Sequence, residues 1–115
     1  MANTERLNTL QFVKDAIDAV SQKQDSIDDK QYVEYRALQR AYIILTTAED
    51  QLVYEDMVDV VSKLESAANK LNDLVKQMNK DLDGLKTVAK VIDKAATALG
   101  TLAEIVSKAA SAGIL

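Results

Sequence analysis

The chain has 115 residues, a formal net charge of −4 and no proline, cysteine, histidine or tryptophan. Without histidine and cysteine it lacks the most common general base, the thiolate nucleophile and the soft metal ligands, so we expect neither enzymatic activity nor a cofactor. The acidic charge argues against nucleic acid as a partner and makes a membrane partner improbable, because both classes of binder usually present a basic face.

The composition predicts a single all-α domain over residues 1–115. Hydrophobic residues make up 48% and charged residues 28% of the chain, which is typical of a globular protein with one core. Three glycines and no proline leave few helix breakers. No segment resembles a signal peptide or reaches the ~18–20 apolar residues of a membrane span. With cysteine absent as well, we expect a cytoplasmic protein.

Two helices are predicted in the first half of the chain. Residues 4–24 form the first, and its apolar positions recur at helical spacing on one face: Leu7, Leu10, Val13, Ile17 and Val20. A polar turn follows. Residues 30–46 form the second helix, and its core face consists of Leu38, Ala41, Leu45 and Ala48.

The third helix is predicted over residues 48–79. Its core face contains eight residues: Val53, Met57, Val60, Leu64, Ala67, Leu71, Leu74 and Met78. Thr46 and Thr47 precede Glu49 and Asp50 at the capping-box distance, which indicates a helix start there. Two threonines alone do not stop a helix, so one continuous rod from residue 30 to residue 79 is an alternative.

The fourth helix is predicted over residues 83–112, after a break at residues 79–84. Its apolar face consists of Leu82, Leu85, Ala89, Ile92, Ala96, Leu99, Ala103, Val106 and Ala110. Its polar residues fall within an arc of roughly 80°. They are Lys86, Lys90, Asp93, Thr97, Thr101, Glu104, Lys108 and Ser111. Such a helix has to be covered on more than one side.

Together these segments predict an elongated antiparallel bundle of four helices with coiled-coil spacing. At ~1.5 Å per residue the expected lengths are about 30, 25, 45 and 45 Å, so the first two helices are too short to cover the fourth. We therefore expect the protein to form a homo-oligomer.

The break at residues 79–84 resembles the first half of a calcium-binding loop. Asn79, Asp81 and Asp83 alternate as oxygen ligands before Gly84, but Lys90 occupies the place of the bidentate glutamate. A calcium-responsive module is therefore one alternative function. The competing interpretation is a turn in which Asp81 or Asp83 caps the fourth helix.

Asp56 is predicted to lie toward the apolar side of the third helix. A carboxylate there needs a cation, either Lys63 one turn further along the face or a basic residue of a partner.

Six residues form the predicted partner-binding surface. Tyrosine, arginine and exposed aliphatic side chains are typical of interface centres, and they line the side of the second helix opposite its core face and extend into the third. These residues are Tyr32, Arg36, Arg40, Ile43, Tyr54 and Val58. The sequence thus predicts a non-enzymatic protein–protein interaction module, of the inhibitor, immunity, chaperone or assembly-subunit type.

A second alternative is a membrane-active protein that releases its last helix onto a bilayer, since residues 95–103 contain no charged residue.

Overall fold

The structure, a computed structural model, describes residues 2–28 and 31–113, with side chains from residue 4 onward. Four α-helices account for nearly all of these residues, which confirms the all-α bundle. They are α1 (Ala2–Ser26), α2 (Tyr32–Tyr54), α3 (Met57–Asp81) and α4 (Lys86–Ser111), and a single 3-10 turn (Asp83–Leu85) precedes α4. Residue 30, where the second helix was predicted to begin, lies outside the described residues.

The helices run alternately up and down, and each packs against its two neighbours around a ring. The contact between α3 and α4 is the most extensive, whereas that between α2 and α3 is the least. The bundle measures 52 × 23 × 17 Å, so the prediction of an elongated shape is confirmed.

One core runs along the whole bundle, and its large side chains recur every seven residues. This spacing is the one that keeps a seam of each helix on its neighbours in left-handed bundles. Fully buried members of the series are Val13, Val20, Leu38, Leu45, Leu52, Leu64, Leu71, Met78, Leu85, Ile92 and Leu99. The predicted core faces of α2, α3 and α4 are thereby confirmed, except that Val53 and Ala110 are exposed.

The predicted mismatch of helix lengths is wrong. The four helices contain 25, 23, 25 and 26 residues, so they are nearly equal. Leu85, at the end of the 3-10 turn, and Ile92, Leu99 and Val106 of α4 are completely buried within the same chain. The apolar face of α4 is therefore covered within one chain and gives no reason to expect a second copy.

The predicted break at residues 46–50 is also wrong, and so is the continuous rod. The hydroxyl groups of Thr46 and Thr47 donate to the carbonyl oxygens of Tyr42 and Ile43 at 2.8 Å each, so both threonines remain helical. The chain leaves the helix at Glu55, which has extended backbone angles, and α3 starts after Asp56.

The predicted inner face of α1 is confirmed except at its first residue. Val13 and Val20 are completely buried, and Leu10 and Ile17 are partly buried against the core. Leu7 is exposed, whereas Thr9 is buried. The Thr9 hydroxyl donates to the carbonyl oxygen of Glu5 at 2.8 Å, which satisfies its polar atom inside the bundle. Near the start of α1, Thr9 and not Leu7 therefore lies against the core.

Candidate protein-binding surface

The outer side of α2 presents the first two predicted site residues as a stacked pair. The Arg36 guanidinium carbon lies 5.5 Å from the centroid of the Tyr32 ring, within cation–π distance. Both side chains are exposed, and Tyr32 has 64% of its surface accessible. The pair stands on the N-terminal turns of α2, where the ring holds the arginine extended along the helix.

Arg40 and Ile43 lie further along α2, beside a shallow groove between α2 and α3. Two adjoining depressions of about 440 and 360 Å³ form this groove. Ile43, Ile44 and Lys70 line both of them, and Arg40 lines the larger. The groove exists because α2 and α3 have the sparsest contact of the four neighbouring pairs. It has an aliphatic floor with basic side chains at its rim.

Tyr54 and Val58 flank the turn that joins α2 to α3. Tyr54 is 82% exposed and is the last residue of α2, and Val58 is exposed in the first turn of α3. Asp56 fixes the turn by accepting a hydrogen bond from the Val58 amide at 3.0 Å. It is an exposed N-cap and not an inward-facing carboxylate, so its predicted orientation is wrong.

Lys63, the predicted partner of Asp56, pairs with Glu55 instead. Lys63 Nζ lies 3.2 Å from Glu55 Oε1, and this contact spans the turn. Glu55 is the residue after α2, so its carboxylate is free of the helix and reaches the first turns of α3. The turn that carries Tyr54 and Val58 is therefore held by one cap and one ion pair.

The six predicted residues form a line along the bundle and not one compact site. Tyr32 and Tyr54 are at opposite ends of α2, about 33 Å apart at 1.5 Å per residue. Only the Tyr32–Arg36 pair is in direct contact. The arrangement offers a long outer surface for another macromolecule, without convergent groups for chemistry.

Sequence reasoning missed three further members of this surface. Of the nine large apolar side chains that are exposed in the described residues, seven lie in residues 32–58, and Leu7 and Phe12 are the others. The seven are Tyr32, Val33, Tyr35, Ile43, Val53, Tyr54 and Val58. Val53 was assigned to the core face of the third helix because the end of α2 was misplaced. The observed end of α2 at Tyr54 places Val53 on this helix.

A second groove, between α1 and α4, was not predicted at all. It has a volume of about 610 Å³, and Phe12, Leu102 and Ile105 line its apolar part. Glu5 lies in the same groove. The periodicity of one helix could not predict it, because the groove is lined by residues of both α1 and α4.

The turn before α4 does not have the form of a calcium loop. Asn79 and Asp81 are still within α3, and the Asp83 carboxylate lies 3.2 Å from Lys86 Nζ. Neither aspartate caps α4, because Leu85 occupies the N-cap position and provides no side-chain hydrogen bond. Within residues 2–28 and 31–113 no cluster of three or more acidic side chains is placed to hold a metal ion.

The uncharged segment of α4, residues 95–103, contributes to the core. Ala95, Ala96, Leu99, Leu102 and Ala103 are all buried, which accounts for its composition. In the part of the chain that the structure describes, no helix combines the length and apolarity needed to cross a bilayer.

No protein-family model matches the chain, and neither a curated protein nor a solved structure shows significant similarity to it.

Proposed function

We propose that the protein is a non-enzymatic interaction module that binds another protein through the outer side of α2 and the α2–α3 turn. The observation that supports this proposal most strongly is the concentration of exposed large apolar side chains in residues 32–58. The predicted polar arc of α4, by contrast, is exposed as polar side chains throughout. Most of the exposed large apolar side chains of the described residues therefore belong to α2 and the α2–α3 turn.

Burial of this surface would release free energy at roughly 25 cal/mol per Å² of apolar area. Tyrosine and arginine are the residues that most often provide the largest single contributions in protein interfaces. Tyr32 and Arg36 are already stacked in the free protein, so less side-chain entropy would be lost when a partner covers them.

The basic rim of the α2–α3 groove favours an acidic partner surface. Arg40 and Lys70 line the larger depression with a single acidic residue, Asp73, and Lys70 also lines the smaller one, where Lys63 is paired with Glu55. This local positive balance contrasts with the net charge of −4 of the whole chain. An acidic amphipathic helix would match both the aliphatic floor and the rim.

We also propose a cytoplasmic location, because a chain without cysteine forms no disulfides and suits a reducing compartment. Self-association remains an expectation, and after the burial of the α4 face only the α2 surface supports it. Size-exclusion chromatography with light scattering tests it directly.

Charge reversal on α2 tests the proposed surface. Arg36→Glu combined with Arg40→Glu should abolish co-purification of the partner and leave the far-ultraviolet circular dichroism unchanged, because both residues are exposed. Lys76→Glu with Lys80→Glu, two exposed positions on α3, makes the same charge change elsewhere. Equal capture by both double variants would contradict the proposal.

A matched apolar pair gives an independent test. Ile43 and Leu7 are each 54% exposed, on α2 and α1 respectively. Ile43→Ser should weaken the partner's affinity by about tenfold or more, as is common for residues near an interface centre. Leu7→Ser should leave it unchanged. The identified partner and titration calorimetry provide the measurement.

A further inference from the structure

The groove between α1 and α4 lies away from the α2 surface. Its volume of about 610 Å³ falls in the range of about 300–1,000 Å³ that is typical of small-molecule sites. Along α1 it extends from Glu5 to Phe12, or about 10 Å at 1.5 Å per residue. This length suits a small molecule with a body of about eight carbon atoms.

Most of the groove surface is apolar, although Asn8, Thr97 and Thr101 also line it. Leu102 forms part of its floor and is almost completely buried, while Phe12 is 42% exposed at one end. Ala98 and Ile105 complete the α4 wall and are half-buried. An aliphatic or aromatic body placed here would cover side chains that water now contacts.

Glu5 supplies an unbalanced negative charge at the other end. Its Oε2 atom is buried and has no hydrogen-bond partner among the described residues. Glu5 as a whole is only partly buried and lines the groove, and an ammonium group is the ligand group that gives a carboxylate a charge-assisted hydrogen bond. The two other charged residues of the groove, Asp93 and Lys94, are of opposite sign and offset each other.

Lys94 lies at the Phe12 end of the groove. It lines, together with Phe12, the adjoining depression that continues toward the other end of α1. No ion pair joins it to Glu5 in the described part of the chain. The charge of Glu5 therefore remains available to a ligand.

From these observations we infer that the α1–α4 groove binds a small organic monocation, with its ammonium group at Glu5 and its hydrophobic body along Phe12, Ala98 and Leu102. This site is independent of the proposed protein-binding surface, since neither Glu5 nor any other groove residue belongs to residues 32–58.

The n-octylammonium ion is a suitable probe, with n-octanol and octanoate as neutral and anionic controls of the same length. Octylammonium should shift the amide resonances of Phe12, Ala98 and Leu102 in a saturable titration of the full chain. Octanol and octanoate should bind at least about tenfold more weakly, because they do not provide a charged donor to Glu5. Equal binding of all three would overturn the proposal.

Two variants locate the binding site. Glu5→Gln should weaken octylammonium binding by about tenfold or more and abolish the preference over octanol. Glu49→Gln on α2 makes the same substitution at another half-buried carboxylate and should have no effect. Ala98→Phe fills the groove and should block binding while Glu5 remains, which provides the test even if Glu5→Gln fails to fold.

Several outcomes would count against the site. Unchanged affinity in a folded Glu5→Gln or Ala98→Phe variant would overturn it, as would resonance shifts confined to other surfaces. If light scattering shows a dimer whose groove resonances do not respond to octylammonium, a second copy occupies the groove and the inference is wrong.

Discussion

At the surface of α4, one ion pair changes the pKa of a carboxyl group but contributes little to stability. Lys108 Nζ lies 2.9 Å from Glu104 Oε1, one helical turn away. The hydrogen bond from this ammonium group, followed by its charge, lowers the pKa of Glu104 below its ordinary value. Both side chains are largely exposed, so the pair contributes little to stability and salt screens it.

The sign of the pH effect follows from that direction. A carboxyl group whose pKa is lowered by folding stabilises the native state above its unfolded pKa, and this stabilisation is lost as the pH falls through the folded pKa. Lys108→Gln should raise the pKa of Glu104 toward its ordinary value in a carbon-detected NMR titration. Lys90→Gln, also on the exposed side of α4, should not. An unchanged Glu104 pKa in Lys108→Gln would show that the pair does not form.

Two glycines at the residue scale should respond in opposite ways to alanine. Gly100 lies within α4, and a Cβ atom added to it would meet Ala68 Cβ at 3.8 Å, an ordinary contact. Gly113 follows the end of α4 with a φ of 73° and donates its amide hydrogen to Ala110 O. That left-handed conformation is costly for any residue with a Cβ atom.

Gly100→Ala should therefore raise the free energy of unfolding by about 0.5–1 kcal/mol through helix propensity and reduced freedom of the unfolded chain. Gly113→Ala should lower it by about 1 kcal/mol because of the left-handed backbone. Urea denaturation of the two variants measures both, and a change of the same sign in both would contradict the assignment.

At the scale of elements, the cap at the α2–α3 turn is provided by one side chain. Asp56 accepts a hydrogen bond from the Val58 amide and so satisfies one of the free donors at the start of α3. Asp56→Ala should lower the free energy of unfolding by about 1 kcal/mol. Asn69→Ala, at an exposed position inside α3, serves as the control and should not destabilise the protein, because alanine is the better helix former. Equal effects would show that the cap contributes nothing.

The same turn shows where prediction from the sequence stops. The apolar face of α4 was predictable because its seven-residue recurrence admits one interpretation, and burial follows it from Leu82 to Val106. The end of α2 was not predictable, because the hydroxyl of a threonine serves equally well as a helix cap or as a donor to the preceding turn. Thr46 and Thr47 do the second, and the sequence contains no feature that distinguishes the two.

At the scale of the whole molecule, contacts between segments distant in sequence cannot be predicted from the spacing of apolar residues. Arg6 of α1 donates from Nη1 to the carbonyl oxygen of Leu52 at 2.8 Å, across 46 positions of sequence. Leu52 lies in the last turn of α2, where carbonyl groups have no helical donor, so this arginine completes the end of another helix. The exposed stripe of α2 was predictable from its own spacing, whereas both grooves depend on how pairs of helices pack and were not.

The uneven packing around the ring also has a consequence for motion. α4 packs most extensively against the rest of the bundle, and α2 packs least. Local opening should therefore begin at α2, while the α3–α4 hairpin persists until global unfolding. Hydrogen–deuterium exchange followed by mass spectrometry should show faster deuteration of α2 than of α4. If α4 exchanged faster, this order would be wrong.

Because α2 carries the proposed binding surface, a partner would stabilise the most weakly held helix of the molecule. Its binding should slow deuterium uptake across the whole of α2, including inward-facing positions such as Leu45 that the partner never touches. Part of the binding free energy would then be used to suppress openings of the bundle. The affinity of this surface would accordingly depend on how firmly α2 is anchored to α1 and α3.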